Sequence, residues 1–119
     1  MQVSKQQVNK ILAKQIMVLW CQMVADIKTP KEAEIILEDL FSETEIEALV
    51  KRLAVGYWLT KKRSYKVIMA NLKVSSATIA TVQQGLSRPG WKLAMQKVLA
   101  EEWATKWEGK IKKLIKIKR

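Results

Sequence analysis

The sequence has no histidine, a single cysteine, two prolines and four glycines among its 119 residues. Each shortage excludes something. Without histidine there is no imidazole base for a nucleophilic triad, and with Cys21 as the sole thiol a zinc or iron site lacks donors. No internal disulfide can form, and no Gly-rich phosphate loop is present. The inventory points away from an enzyme, so no catalytic residue, cofactor or metal is expected. Long apolar runs are missing too. The most apolar window, IMVLWCQMV at 16–24, is too short to cross a bilayer, and Met1 is not followed by a charged-then-apolar leader. A cytoplasmic, reducing location is the expectation, with a membrane not expected as partner and Cys21 buried as a small hydrophobe.

Cations, by contrast, are abundant and unevenly placed. The formal net charge is +11, from 22 Lys and Arg against 11 Asp and Glu. Residues 1–60 hold seven cations and eight anions, whereas residues 61–119 hold fifteen cations and three anions. The whole excess lies in the second half. That distribution implies a polyanion-facing surface there and a nearly neutral packing scaffold before it. A single domain is expected over 1–119, comprising a helical dimerisation scaffold (1–60), a central helix pair (61–88) and a basic C-terminal helix (89–119).

Helix punctuation dominates and no segment alternates long enough to make a convincing strand, so the fold class is all-α. From Ser4 to about Ile27, Val8, Leu12, Ile16, Leu19, Met23 and Ile27 form one stripe, with Ala13, Met17, Trp20 and Val24 beside it. This apolar face is wider than one neighbour needs, which suits two packing partners or a second subunit. Thr29-Pro30-Lys31-Glu32 reads as an N-cap, a proline at the first helical position and a capping-box glutamate, opening a helix with Ala33, Ile36, Leu37 and Leu40 on one face. Ser42-Glu43-Thr44-Glu45 is a second capping box, and Ile46, Leu49, Val50, Leu53 and Tyr57 follow it at helical spacing to about Thr60.

Two short helices come next, from about Ser64 to Leu72 and from Ser75 or Ser76 to about Leu86. Helix, three-residue turn, helix is the form of a helix-turn-helix. Counting Tyr65 as position 1, the core positions 4, 8, 10, 15 and 18 are Ile68, Leu72, Val74, Ile79 and Val82, all apolar. Two positions depart from the usual pattern. Met69 stands where alanine is common and is expected to crowd the helix crossing, and Lys73 stands where glycine is common and must bear a left-handed backbone. The second helix exposes small side chains able to enter a major groove and meet base edges, for which Ser75, Ser76, Ala77, Ala80 and Thr81 are the candidates. Lys61, Lys62, Arg63, Ser64, Tyr65, Lys66 and Lys73 are the candidate phosphate contacts.

FSETEIEALVKRLAV, followed by SYKVIMANLKVSSATIATV, resembles the tryptophan-repressor superfamily and especially its YerC/YecD-like branch. The likeness is carried by Glu45, Ala48, Leu49 and Arg52 in the acidic capped helix, by the Ser-Tyr start of the helix pair and by SSATI opening its second helix, over roughly residues 40–86. It implies a tryptophan-repressor-like bundle, an intertwined homodimer, and a sequence-specific, repressor-like transcription regulator of double-stranded DNA. The tryptophan-binding member of that family uses two arginines. One corresponds to Arg52, but the other falls on Thr81, so a carboxylate ligand loses half its clamp and tryptophan is not expected as a ligand.

Two other readings stay open at this stage. One is a structural interaction module, the other a nonspecific nucleic-acid-binding protein driven by the tail GKIKKLIKIKR at 109–119, which could equally meet an anionic membrane or the partner subunit. Trp20 and Trp58 are expected in the core or a dimer interface. Trp91, Trp103 and Trp107 are expected in the core, with an aromatic platform for single-stranded nucleic acid as the alternative.

Overall fold

The structure, a computed structural model, describes residues 6–102. Those residues form α1 (Lys10–Ala25), α2 (Pro30–Leu40), α3 (Glu43–Thr60), α4 (Tyr65–Leu72), α5 (Ser76–Gly85) and a sixth helical stretch, α6, over 89–102; there is no strand among them. The all-α expectation is met. Trp103, Trp107 and the tail lie outside the described residues. The chain divides within α3, between Ala48 and Leu49, into two compact units.

In the first unit the helix ends follow from local side-chain chemistry. Asn9 starts α1 by accepting a hydrogen bond from the Leu12 amide at 2.8 Å, so the helix begins later than the apolar stripe alone suggested. Thr29 Oγ1 accepts from the Glu32 amide at 3.1 Å, with Pro30 at the first helical position. Ser42 and Glu45 make the reciprocal pair: Glu45 Oε1 accepts from the Ser42 amide at 2.8 Å and Ser42 Oγ from the Glu45 amide at 3.2 Å. Trp20 meets Phe41 edge-on, with ring centroids 6.0 Å apart.

No residue of α1 is buried within the single chain. Ile11, Val18 and Leu19 are 75, 68 and 71% exposed, and Cys21 is exposed as well. Cys21 is therefore not the buried hydrophobe expected from its neighbours, and Val18, Leu19 and Trp20 beside it are exposed with it. Leu40 is likewise exposed rather than turned inward.

The second unit contains the core. Val55 and Leu59 of α3, Ile68 of α4, and Ile79 and Val82 of α5 are buried together, with Trp58, Leu72, Val74, Leu86 and Trp91 packed against them. Val55, Ile68 and Ile79 are wholly inaccessible to solvent. The face of α3 that enters this core is not its most regular apolar stripe. Leu49, Val50 and Leu53 of that stripe remain exposed, while the buried residues Val55, Gly56 and Leu59 lie on another side.

Candidate nucleic-acid interface

The basic run begins where α3 ends. Lys62 takes a left-handed backbone (φ 64°), its amide bonds to the Leu59 carbonyl and the Arg63 amide bonds to the Trp58 carbonyl, both at 3.0 Å. That is a Schellman closure with lysine where glycine is usual, and it fixes the direction in which the chain leaves α3. Two of the three cations here lie over aromatic rings of the preceding helix. Lys61 Nζ is 5.8 Å from the Tyr57 ring centroid and the Arg63 guanidinium 5.8 Å from that of Trp58.

Lys61 is further held by Glu102 of α6, at 2.9 Å. The hydrogen bond it donates to Glu102 raises the pKa of the Lys61 ammonium above its ordinary value, and the same carboxylate raises that of the Tyr57 phenol by accepting its hydroxyl proton in a hydrogen bond.

Ser64 starts α4, its Oγ accepting from the Val67 amide at 3.2 Å. Tyr65 and Lys66 are exposed in the first turn that follows. The turn to α5 consists of Lys73, Val74 and Ser75. Lys73 does adopt the left-handed conformation (φ 56°, ψ 50°) and donates its amide to the Met69 carbonyl at 3.0 Å. Met69 does not crowd the crossing: its side chain is exposed. Val67 is exposed too. The anchors behave as their spacing implied, with Ile68, Ile79 and Val82 buried and Leu72 and Val74 half-buried.

The candidate base contacts fall into two groups. Ser76 and Ala77 are exposed in the first turn of α5. Ser75, Ala80 and Thr81 have local duties. Ser75 Oγ caps the helix, accepting from the Thr78 amide at 3.1 Å with Thr78 Oγ1 3.0 Å away; Ala80 is half-buried; Thr81 Oγ1 donates to the Ala77 carbonyl at 3.0 Å. Free hydroxyls are thus fewer than the composition of α5 suggests.

Thr81 also lines a cleft of about 370 Å³ with Arg52, Arg88 and Trp91. An adjoining cleft of about 420 Å³ shares Arg52, Arg88 and Trp91 and adds Leu49, Leu53 and Ala94. Arg88 was missed by sequence reasoning, which gave it no role; it lines both clefts with Arg52 and so supplies a second guanidinium there although Thr81 supplies none. Among the described residues no group of acidic or thiol side chains is placed to hold a metal, and no helix is long and apolar enough to cross a membrane.

A search of curated proteins finds no match to the chain. A family model described as Trp repressor protein matches residues 15–99, from α1 into α6 and across both short helices. A match over most of the sequence, including all the elements that build the buried core, shows that the chain belongs to the Trp repressor protein family.

Proposed function

We propose that the protein is a sequence-specific, repressor-like DNA-binding regulator acting as a homodimer, with α4 and α5 as a helix-turn-helix. The observation that carries this reading is the helix pair itself. Its two members share the Ile68, Ile79 and Val82 core while the first turn of α5 presents the small side chains of Ser76, Ala77 and Thr78 outward. Side chains this small let a helix enter a major groove. Lys62, Arg63, Lys66 and Lys73 flank the pair as exposed cations suited to phosphates, with the Ser64 and Tyr65 hydroxyls between them. Base contacts are assigned chiefly to Ser76 and Ala77, with Ser75, Ala80 and Thr81 close to the bases; Lys61 joins the phosphate set when Glu102 releases it.

Dimerisation is supported by the apolar surface left open on α1 and on the Leu49, Val50 and Leu53 side of α3. A monomer has little reason to keep so much of it in water. A two-fold dimer places two reading helices on a palindromic site. Placement in the YerC/YecD-like branch belongs to the same proposal, resting on Glu45, Ala48, Leu49 and Arg52, on the Ser-Tyr start of the helix pair and on SSATI. The reading includes action without tryptophan, since Thr81 stands where the tryptophan-binding member of the family has its second arginine, even though Arg88 brings another guanidinium to the Arg52 cleft.

Selection of bound sequences from a random duplex pool tests the reading. A palindrome with two half-sites is the expected product, and a pool that remains unenriched overturns it. Deleting residues 109–119 should lower total affinity yet keep the selected preference; loss of all binding would shift the activity to the tail.

A further inference from the structure

Trp91 stands on two glycines. A Cβ built on Gly56, in α3, would overlap Trp91 Cζ3 and lie 3.0 Å from Cη2. A Cβ on Gly85, the last residue of α5, would lie 3.3 Å from both Cδ1 and Nε1. Both glycines are buried. One indole therefore reaches from its benzene edge on α3 to its pyrrole edge on the end of α5. Glycine in the interior of a helix costs about 1 kcal/mol against alanine, so Gly56 weakens α3 by itself and is compensated by what seats on it.

The ring belongs to neither of the helices it joins. Trp91 is in the first turn of α6, after the Leu86-Ser87-Arg88 connection. It is half-buried, and the two clefts that share it with Arg52 and Arg88 leave open space beside it. The indole is thus an inserted part with room around it. Ile79 and Val82 hold α5 along its middle, and Trp91 holds its end.

We propose that Trp91 is a positioning residue: a built-in wedge that sets the angle of α5 on the core, and with it the placement of Ser76 and Ala77 on DNA, without any small molecule. The inference rests on α5 being the reading helix. The lever arms make it quantitative. At 1.5 Å per residue, Gly85 is about 9 Å from Ile79 and Ser76 about 4.5 Å on the other side. With Ile79 as pivot, a displacement of about 1 Å at Gly85 moves Ser76 by about 0.5 Å. That is the whole width of the ordinary N–H···O distance range. Contacts to phosphates by long lysines tolerate such a shift; contacts to base edges by short side chains do not.

The test is Trp91→Ala, assayed on the selected duplex and on unrelated duplex at a temperature where circular dichroism shows the variant as helical as wild type. Specific affinity should fall at least tenfold, while affinity for unrelated duplex changes less than twofold. Free indole should restore the specific affinity, because an apolar hole of matching shape accepts an aromatic guest. Unchanged specific affinity, equal loss on both duplexes, or no rescue by indole overturns the proposal. Should Trp91→Ala not fold, Gly85→Ala decides. Its methyl asks the ring to move by a few tenths of an ångström, and specific affinity should fall severalfold in a folded protein; wild-type affinity would overturn the wedge. If wild type selects no sequence, the reading of α5 fails, and the wedge is judged separately by amide exchange. The α5 amides of Trp91→Ala should exchange faster than wild type and recover with indole, whereas unaltered exchange in α5 rejects it.

Discussion

Lys61 Nζ lies 2.9 Å from Glu102 Oε2, joining the first cation of the basic run to α6. The same carboxylate takes a hydrogen bond from Tyr57, whose ring lies under the ammonium. The pair is open to water, so it adds little to stability. Its consequence is electrostatic, since a lysine held by a carboxylate is not available to a phosphate. Glu102→Gln should therefore tighten DNA binding and steepen the plot of log affinity against log salt by about 0.9 per chain, the value for one added phosphate contact. Titrations over a range of potassium chloride read both effects. An unaltered slope would show that Lys61 does not reach the DNA backbone.

Ala77→Glu separates reading from folding. Ala77 is exposed in the first turn of α5, where a carboxylate suits the positive end of the helix dipole. Thermal unfolding should change by less than about 0.5 kcal/mol, as for most exposed substitutions. Binding to the selected duplex should be lost, because the new charge faces bases and phosphates. Retained affinity in a gel-shift assay would remove α5 from the interface.

Ile68→Ala and Ile79→Ala act on the core that holds the pair. Both side chains are wholly buried among Val55, Leu59 and Val82. Truncating a buried isoleucine costs about 2–5 kcal/mol, and urea unfolding should register a loss in that range for each. The double variant should lose less or more than the sum of the two, since the side chains belong to one cluster. Strict additivity would indicate that they pack independently.

What the sequence made legible is mostly local. Ser42, Ser64, Ser75 and Thr29 each bond an amide three residues on, and such bonds need no partner from elsewhere in the chain. The anchors Ile68, Ile79 and Val82 were legible because a fixed turn fixes their spacing. Lys73 announced its left-handed turn by standing where glycine is usual. The contacts of Trp91 with Gly56 and Gly85, and of Glu102 with Lys61, join residues far apart, and no periodicity carries them. Burial failed for Cys21, and the most regular stripe of α3 proved exposed at Leu49, Val50 and Leu53. A periodic pattern shows that a face is apolar without showing which chain covers it.

The start of α3 has an acid-side signature. The amide of Ser42, and then its hydroxyl, hold the Glu45 carboxyl below the ordinary value of 4.5. A depressed carboxylate contributes stability that is present above its unfolded pKa and is lost as pH falls through the folded one. Melting curves of wild type and Glu45→Ala should therefore differ at pH 6 and converge as pH drops below about 4, the model-peptide range for glutamate. Ser42→Ala should cost about 1 kcal/mol at neutral pH and bring the Glu45 titration only part of the way back, readable by carboxyl chemical shifts, because the backbone amide at position 42 still donates to the carboxylate. A difference between wild type and Glu45→Ala that persists undiminished at pH 3 would exclude the charge as its source.

Val18 and Leu19 offer the decisive test of the second copy. They are 68 and 71% exposed, next to each other on α1, and neither belongs to the buried core of Val55, Ile68 and Ile79. Burying such side chains is worth about 1.5–3 kcal/mol each, and two-fold symmetry counts every gain twice. Replacing both by aspartate reverses the sign: four carboxylates would have to leave water with no cation supplied for them. Sedimentation equilibrium should give wild type at twice the chain mass and Val18→Asp/Leu19→Asp at the chain mass, over a range of micromolar concentrations. Because the reading helix is untouched, the variant should keep its weak, salt-sensitive attraction to any duplex and lose only the gain from binding two half-sites at once. A variant that sediments as a dimer would move the interface off this part of α1, and a wild type that sediments as a monomer would leave the apolar surface of α1 to another occupant.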